Sequence, residues 1–222
     1  MARVSLLPQE RDLMYYLFDL DGTLIDSNGV WIDVDTEFLR RRGIAYTREY
    51  YLGVAHSILP LAAKFTKEFC HLDESEESIT AEWLALAGNR YAKDVALKPF
   101  AKEFLEKCRQ EHIPMALVTA CVPSHARAVL QKYDLFPYFR HVILAQELGL
   151  EKGNPKFYET VSQICGVKLN DCTLFDDSFR SCETASRLGL HTVGVYDDFF
   201  RDDEDILRRN CERFIRDFSE LL

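Results

Sequence analysis

The stretch Phe-Asp-Leu-Asp-Gly-Thr-Leu at residues 18–24 decides the fold, because it places two carboxylates directly after the short apolar run Met14–Phe18. Alternate residues of an extended chain point the same way, so Asp19 and Asp21 are expected to project into one small space. Like charges this close repel, which means that one carboxylate must bind a cation or hold a proton. Gly22 permits a sharp turn that brings backbone amides near a ligand.

Outside this stretch, short apolar runs alternate with helical patterns. The apolar runs that do not alternate with polar residues are Met14–Phe18, Met115–Thr119, His141–Ala145, Cys172–Phe175 and Thr192–Val195. Such runs are typical of strands buried on both faces of a parallel sheet. The helical stretches between the later runs are Pro99–Glu111, Pro123–Tyr133, Pro155–Cys165 and Phe179–Leu188. This alternation predicts an α/β fold with a doubly wound parallel, Rossmann-like sheet.

One interval breaks the alternation, because no second strand is predicted before Met115. The helices predicted in this interval are Val30–Arg41, Ser57–Phe69 and Glu76–Tyr91. The breaks are predicted at Gly43, at Gly53 and at the acidic run Asp73–Glu77. We therefore predict a catalytic core of residues 1–26 and 94–222, and an all-helical cap domain of residues 27–93. The insertion leaves from the carboxyl end of strand one, so it is either a rigid addition to the sheet or a movable lid over the ligand crevice.

The other strand ends supply polar side chains of two kinds. Asp176 and Asp177 follow a buried run, and the carboxyl ends of parallel strands meet at one edge of a sheet. Up to four carboxylates converging there require a divalent cation, and oxygen ligands of this kind suit Mg²⁺. Thr119, the Ala120 amide and Lys152 lie at strand ends or in adjoining loops, where they can complement the acidic residues. The lysine can balance charge at rest and hold a phosphoryl group during a reaction.

The chain order of these groups resembles that of the haloacid dehalogenase-like superfamily, in its phosphatase branch with a helical cap inserted after the first strand. The resemblance rests on the Asp-x-Asp-Gly-Thr-Leu run at residues 19–24 and covers nearly the whole chain. It implies that Asp19 is a nucleophile that forms an aspartyl-phosphate. Asp21 would protonate the leaving alcohol and then activate water. Thr119 and the Ala120 amide would hold phosphate oxygens, and Lys152 would hold both Asp19 and the phosphate.

The resemblance also implies a Mg²⁺ site and a specificity loop. The expected ligands are Asp19, the Asp21 carbonyl oxygen and Asp177, with Asp176 bound directly or through one water. His56 lies between two predicted cap helices, where relatives often place a loop that contacts the substrate. One departure from the superfamily pattern is Gly153, which follows Lys152 where relatives often carry proline. It is expected to loosen the loop that carries the lysine.

The amino-acid composition restricts the classes of binding partner. With 27 Lys and Arg against 36 Asp and Glu, the formal net charge is −9, which disfavours nucleic acid and anionic membrane. The chain has no apolar run long enough for a membrane span and no apparent secretory signal. The odd number of cysteines, 7, favours reduced thiols, so a cytoplasmic location is expected. The predicted partner is a small phosphorylated metabolite, and the sequence leaves the oligomeric state open.

Three functions remain open from the sequence. The first is a Mg²⁺-dependent phosphatase that hydrolyses a small phosphate monoester. The second is a phosphomutase of the β-phosphoglucomutase type, in which a sugar hydroxyl replaces water as the phosphoryl acceptor. The third is a non-catalytic module that accepts a phosphoryl group or binds partners. The helical insertion and the intact set of acidic residues, threonine and lysine speak against the third function.

Overall fold

The computed structural model describes residues 14–55, 57–87 and 90–222. Its strands are β1 Tyr15–Phe18, β2 Ile25–Asp26, β3 Ala96–Leu97, β4 Met115–Thr119, β5 His141–Leu144, β6 Cys172–Asp176, β7 His191–Val195 and β8 Arg213–Ile215. Its α-helices are α1 Asn28–Arg41, α2 Arg48–Val54, α3 Leu59–Phe69, α4 Glu76–Ala87, α5 Arg90–Lys93, α6 Ala101–Gln110, α7 Pro123–Lys132, α8 Ala145–Leu148, α9 Pro155–Cys165, α10 Phe179–Arg187 and α11 Glu204–Asn210. None of the helices in the described part of the chain has the length and hydrophobicity that a bilayer crossing requires.

The main sheet has the strand order β5-β4-β1-β6-β7-β8, and its neighbouring strands all pair in parallel. Every residue of β4 and β6 is buried, which explains why these strands are apolar runs without alternation. In this sheet the chain passes from β1 to β4 and β5 on one side and then crosses to β6, β7 and β8 on the other. Strand β1 therefore lies at the switch point, where such sheets bind ligands. The predicted doubly wound α/β class is confirmed.

Aromatic rings fill one face of the sheet. Phe18 of β1 stacks on Phe175 of β6 with ring centroids 4.6 Å apart. Phe104 of α6 packs edge-on against both rings and stacks on Phe218 near the end of the chain. Leu17 points to the opposite face, where it packs in a second cluster that includes side chains of α9. Burial of each such side chain contributes about 1.5–3 kcal/mol, so β1, the strand that directly precedes Asp19, is firmly held.

The interval predicted as a cap, residues 27–93, contains α1 to α5, and we call it the cap. Its base is the two-stranded antiparallel ribbon of β2 and β3. The cap has its own apolar cluster, in which Phe38, Tyr50 and Trp83 are buried. The assignment of residues 27–93 as a separate domain stays a prediction.

The cap differs from the prediction at Gly53, which was expected to break a helix. Gly53 instead lies inside α2, a helix that the sequence pattern did not indicate. A Cβ atom at this position would collide with the Phe65 ring of α3, so glycine permits the close approach of the two helices. Gly53 therefore permits helix packing and does not end a helix.

Strand β8 was also missed. It is only three residues long, and its first residue, Arg213, is exposed while Ile215 is buried against the core. A run this short, flanked by charged residues, has no periodicity that distinguishes it from a loop.

Candidate active site

An ion cluster lies at the carboxyl end of the central strands. Asp19 follows β1, and its backbone N–H donates to the Phe175 carbonyl oxygen of β6 at 3.0 Å. Lys152 Nζ lies 2.6 Å from Asp19 Oδ1 and 2.7 Å from Asp176 Oδ2. The lysine side chain is only 3% exposed, and it reaches both carboxylates although Gly153 follows it. The reach of Lys152 is therefore sufficient, while the looseness expected from Gly153 stays a prediction.

The carboxylates of this cluster outnumber its cations. Asp19, Asp176 and Asp177 are buried, and each offers an oxygen within 4.8 Å of the others. Burial raises the pKa of Asp177 well above its ordinary value, and the charges of Asp19 and Asp176 raise it further. Burial alone would lower the pKa of Lys152, but the two carboxylates that it contacts raise it overall, so the lysine stays charged. One ammonium cannot balance three carboxylates, and hard oxygen donors in this arrangement fit Mg²⁺.

Asp176 and Asp177 differ in what they contact. Asp176 binds Lys152 through one oxygen and accepts the Ser178 N–H through the other at 2.9 Å. Asp177 is contacted only by neutral donors among the described residues, the Thr23 hydroxyl at 3.3 Å and the Asn28 amide at 3.0 Å. Asp177 therefore keeps more capacity for a metal ion, in agreement with the preference drawn from the resemblance.

Asp21 is not one of the three clustered carboxylates, although it lines the same cavity as Asp19. Its carboxylate accepts a short hydrogen bond from the Ser27 hydroxyl, and the Cys121 thiol lies beside it. Burial raises the pKa of Asp21 to about 6, although the hydrogen bond from Ser27 opposes the shift. A carboxyl group with such a pKa exchanges protons near neutral pH, as a general acid and base must.

The predicted phosphate-binding groups line the same cavity as the two aspartates. Thr119 ends β4 and is fully buried, and its hydroxyl oxygen accepts the Cys121 N–H at 3.1 Å. Ala120, Lys152 and Cys121 line the cavity beside Asp19 and Asp21. The structure thus brings together every predicted site residue that it describes. His56 lies outside the described residues.

Three supporting residues were missed by sequence reasoning, namely Thr23, Ser27 and Asn28. Thr23 and Asn28 hold Asp177, and Ser27 holds Asp21. All three lie within nine residues of Asp19, in or just after the motif itself. Their polar side chains were the available signal. The partner of Thr23 and Asn28 becomes visible only when β6 is placed beside β1, whereas the partner of Ser27 lies six residues earlier in the same segment.

Contacts between the cap and the segment after β7 lie close to this cavity. The Tyr51 ring of α2 lies 5.4 Å from the Phe200 ring, and Arg48 forms a 2.7 Å ion pair with Asp202. Within the acidic segment 197–205, Asp197 is buried and pairs with Lys98 at 2.6 Å. This pair anchors the segment where it supports the cap.

Most of the chain is similar to proteins of one known family. Residues 16–195 match the family model of the haloacid dehalogenase-like hydrolases. The validoxylamine A 7'-phosphate phosphatase of Streptomyces hygroscopicus subsp. limoneus is 24% identical over 188 residues, which are 81% of this chain and 84% of that protein. A phosphoglycolate phosphatase of Rhodobacter capsulatus is 28% identical over 194 residues, with 83% and 84% of the two chains covered.

The fold also matches solved structures. A β-phosphoglucomutase from Clostridium difficile superposes with a TM-score of 0.79 at 15% identity, covering 95% of this chain and 93% of that one. At this identity the likeness establishes the fold alone. The named relatives support the predicted class of phosphoric monoester hydrolases. Because the family match spans residues 16–195, the chain belongs to the haloacid dehalogenase-like hydrolases.

Proposed function

We propose that the chain is a Mg²⁺-dependent phosphatase that hydrolyses a small phosphate monoester through an aspartyl-phosphate on Asp19. The observation that carries the proposal is the buried cluster in which Lys152 contacts Asp19 and Asp176, with Asp177 completing the set. The validoxylamine phosphatase and the phosphoglycolate phosphatase are named for small phosphorylated compounds, which supports a substrate of this class.

In the first step, a carboxylate oxygen of Asp19 attacks phosphorus, and the bond between phosphorus and the ester oxygen breaks. The protonated carboxyl of Asp21 gives its proton to the departing alkoxide, so a neutral alcohol leaves. Asp21 has a pKa of about 6, which gives it a protonated fraction near neutral pH. The Thr119 hydroxyl, the Ala120 amide and Lys152 line the cavity where the phosphoryl oxygens would lie.

In the second step, Asp21 takes a proton from water while that water attacks phosphorus, and the Asp19 carboxylate leaves. Inorganic phosphate is released and both aspartates return to their starting states. Mg²⁺, held by Asp19, the Asp21 carbonyl oxygen and Asp177, would offset the negative charge that nucleophile and phosphate bring together. The ammonium group of Lys152 offsets part of the same negative charge.

The direct test is the Asp19→Asn variant with p-nitrophenyl phosphate in the presence of Mg²⁺. We expect at least about a thousandfold loss of phosphate release, because an amide cannot act as the nucleophile. The matched control is Asp33→Asn, whose carboxylate lies on the cap surface and is 69% exposed. EDTA should stop the wild-type reaction and added Mg²⁺ should restore it. Unchanged turnover by Asp19→Asn would remove this residue as the nucleophile.

A panel of phosphorylated metabolites separates hydrolysis from phosphoryl transfer between sugar hydroxyls. Each compound is scored for free phosphate and for an isomerised product. We expect phosphate release, with water as the acceptor. Isomerisation without net phosphate release would instead assign the mutase reaction to the same residues.

A further inference from the structure

The catalytic cavity extends from the ion cluster into the cap along one face of α1. Asn28, Trp31, Ile32 and Asp35 all line it, at the three- and four-residue spacing that places side chains on one helix face. Asn28 marks the catalytic end, because its amide donates to Asp177. With a rise of about 1.5 Å per residue, Asp35 lies about 10 Å farther along the helix axis. A ligand whose phosphate lies at the ion cluster therefore meets Asp35 with its other end.

Asp35 has no cationic partner among the residues that the structure describes. Its hydrogen bond to the Tyr50 hydroxyl is long, at 3.4 Å, and that hydroxyl is shared with Thr66 at 2.9 Å. No ion pair among the described residues includes Asp35, since the nearby arginines of α1 and its end are paired with glutamates. Those pairs are Arg40 and Arg41 with Glu37, and Arg42 with Glu74 and Glu82. Burial raises the pKa of Asp35 to about 7, as expected for a carboxylate without a cation.

Aromatic rings complete the surroundings of this carboxylate. Trp31, Tyr46 and Tyr51 line the same cavity. Tyr46 lies close enough that the charge of Asp35 adds to burial in raising its pKa to about 12. The faces of such rings attract ammonium groups, most strongly where water is excluded. A carboxylate beside aromatic rings favours a cationic ligand group over a neutral one.

We propose that the substrate is a phosphate monoester of an amino alcohol, whose phosphate lies at Asp19 and whose ammonium group lies against Asp35. This inference rests on the proposed phosphatase function and names its substrate class. The ammonium would neutralise the half-buried carboxylate, and the rings of Trp31 and Tyr46 would cover its alkyl substituents. A cavity of about 130 Å³ suits a small molecule of this kind. A neutral hydroxyl at the same place would leave the charge of Asp35 unbalanced.

The test uses two phosphonates that cannot be hydrolysed and that differ in one terminal group, ω-aminobutylphosphonate and ω-hydroxybutylphosphonate. Their dissociation constants are measured by titration calorimetry with Mg²⁺ present. We expect the wild-type protein to bind the amino compound at least about tenfold more tightly. In Asp35→Asn this ratio should fall below about threefold, since the amide still forms hydrogen bonds but carries no charge. Asp33→Asn, on the same helix, should keep the wild-type ratio.

Two results would overturn the inference. One is a wild-type protein that binds the hydroxyl compound equally well or better, or that does not bind the amino compound at millimolar concentration. The other is an Asp35→Asn variant that retains the full ratio. If Asp35→Asn does not fold, the ratio of the two dissociation constants of the wild-type protein tests the inference by itself.

Failure of the substrate class can be told from failure of the phosphatase function. In one outcome, the wild-type protein releases phosphate from p-nitrophenyl phosphate, Asp19→Asn does not, and neither phosphonate is preferred. This outcome would reject the amino alcohol as substrate and retain the phosphatase function. Preference for the amino phosphonate without hydrolysis of any ester would retain the ammonium site and reject the phosphatase.

Discussion

The unbalanced charge of Asp35 has a consequence for stability that can be measured without any ligand. Replacing Asp35 by Asn removes the charge while preserving the size of the side chain and its ability to accept a hydrogen bond from Tyr50. The pKa of Asp35 rises from an ordinary 3.8 to about 7 in the folded protein. Each tenfold change in proton affinity is worth about 1.4 kcal/mol, so the upper bound on the cost of ionisation is about 4 kcal/mol. Because water can enter the cavity, we expect a gain of about 1–3 kcal/mol for Asp35→Asn at about pH 8.

The gain must depend on pH with a definite sign. Between about pH 4 and pH 7 the folded protein holds a proton on Asp35 that the unfolded chain has released. The wild-type protein therefore loses stability as the pH rises through this interval, whereas Asp35→Asn lacks this titration. The advantage of the variant should be largest above about pH 7 and less than half as large at about pH 5.

Urea unfolding followed by tryptophan fluorescence measures this difference. The chain contains 2 tryptophans, Trp31 and Trp83, and both lie in the cap, so the signal reports on the unit that carries Asp35. The control is Asp33→Asn, whose exposed ion pair with Arg90 should change the free energy of unfolding by less than about 0.5 kcal/mol at either pH. An equal gain at both pH values, or a loss at the higher one, would refute the assignment of Asp35 as a half-buried acid without a cationic partner.

Two further predictions concern the catalytic loop. Asp21→Asn should slow the first turnover of alkyl phosphates by about 10²–10⁴-fold but that of p-nitrophenyl phosphate much less, because only the poor leaving group needs a proton. Rapid-mixing experiments measure both rates, and equal losses for the two substrates would argue against a general acid. Gly22→Ala should destabilise the fold by at least about 1 kcal/mol more than Gly43→Ala in urea unfolding. Both glycines have positive φ, but only at Gly22 would a Cβ meet Asp177 and Asn28, so equal losses would contradict the contact.

Much of the core could be predicted because its signals are local. The run Met115–Thr119 is strand β4 with the predicted bounds, and Pro155–Cys165 is helix α9, with proline at its first turn. Each of these segments is buried on the side or sides that its pattern indicated. The acidic residues after β1 and β6 could then be placed together by topology alone, without any knowledge of side-chain contacts.

The cap was less predictable because its packing is not local. Nothing in the sequence around Gly53 indicates that Phe65 would lie against it, so a glycine that permits helix contact was interpreted as a break. Asp35 likewise stands in a helical pattern among other charged residues, and Asp33, two positions earlier, is exposed. Only the packing of α1 against the cavity distinguishes the two aspartates.

Burial has two different effects on the carboxylates of the catalytic site, and together they explain the roles of Asp21 and Asp19. At Asp21, burial raises the pKa to about 6 although the hydrogen bond from Ser27 lowers it, which produces a group that can donate and accept protons. Around Asp19, the same burial makes three adjacent carboxylates too costly for Lys152 alone to offset, which produces a demand for a further cation. An exposed site with the same residues would provide neither a proton donor near neutral pH nor a strong metal site. The cap, which helps to enclose the cavity through α1 and α2, is therefore part of the chemical environment of these aspartates as well as a wall for the substrate.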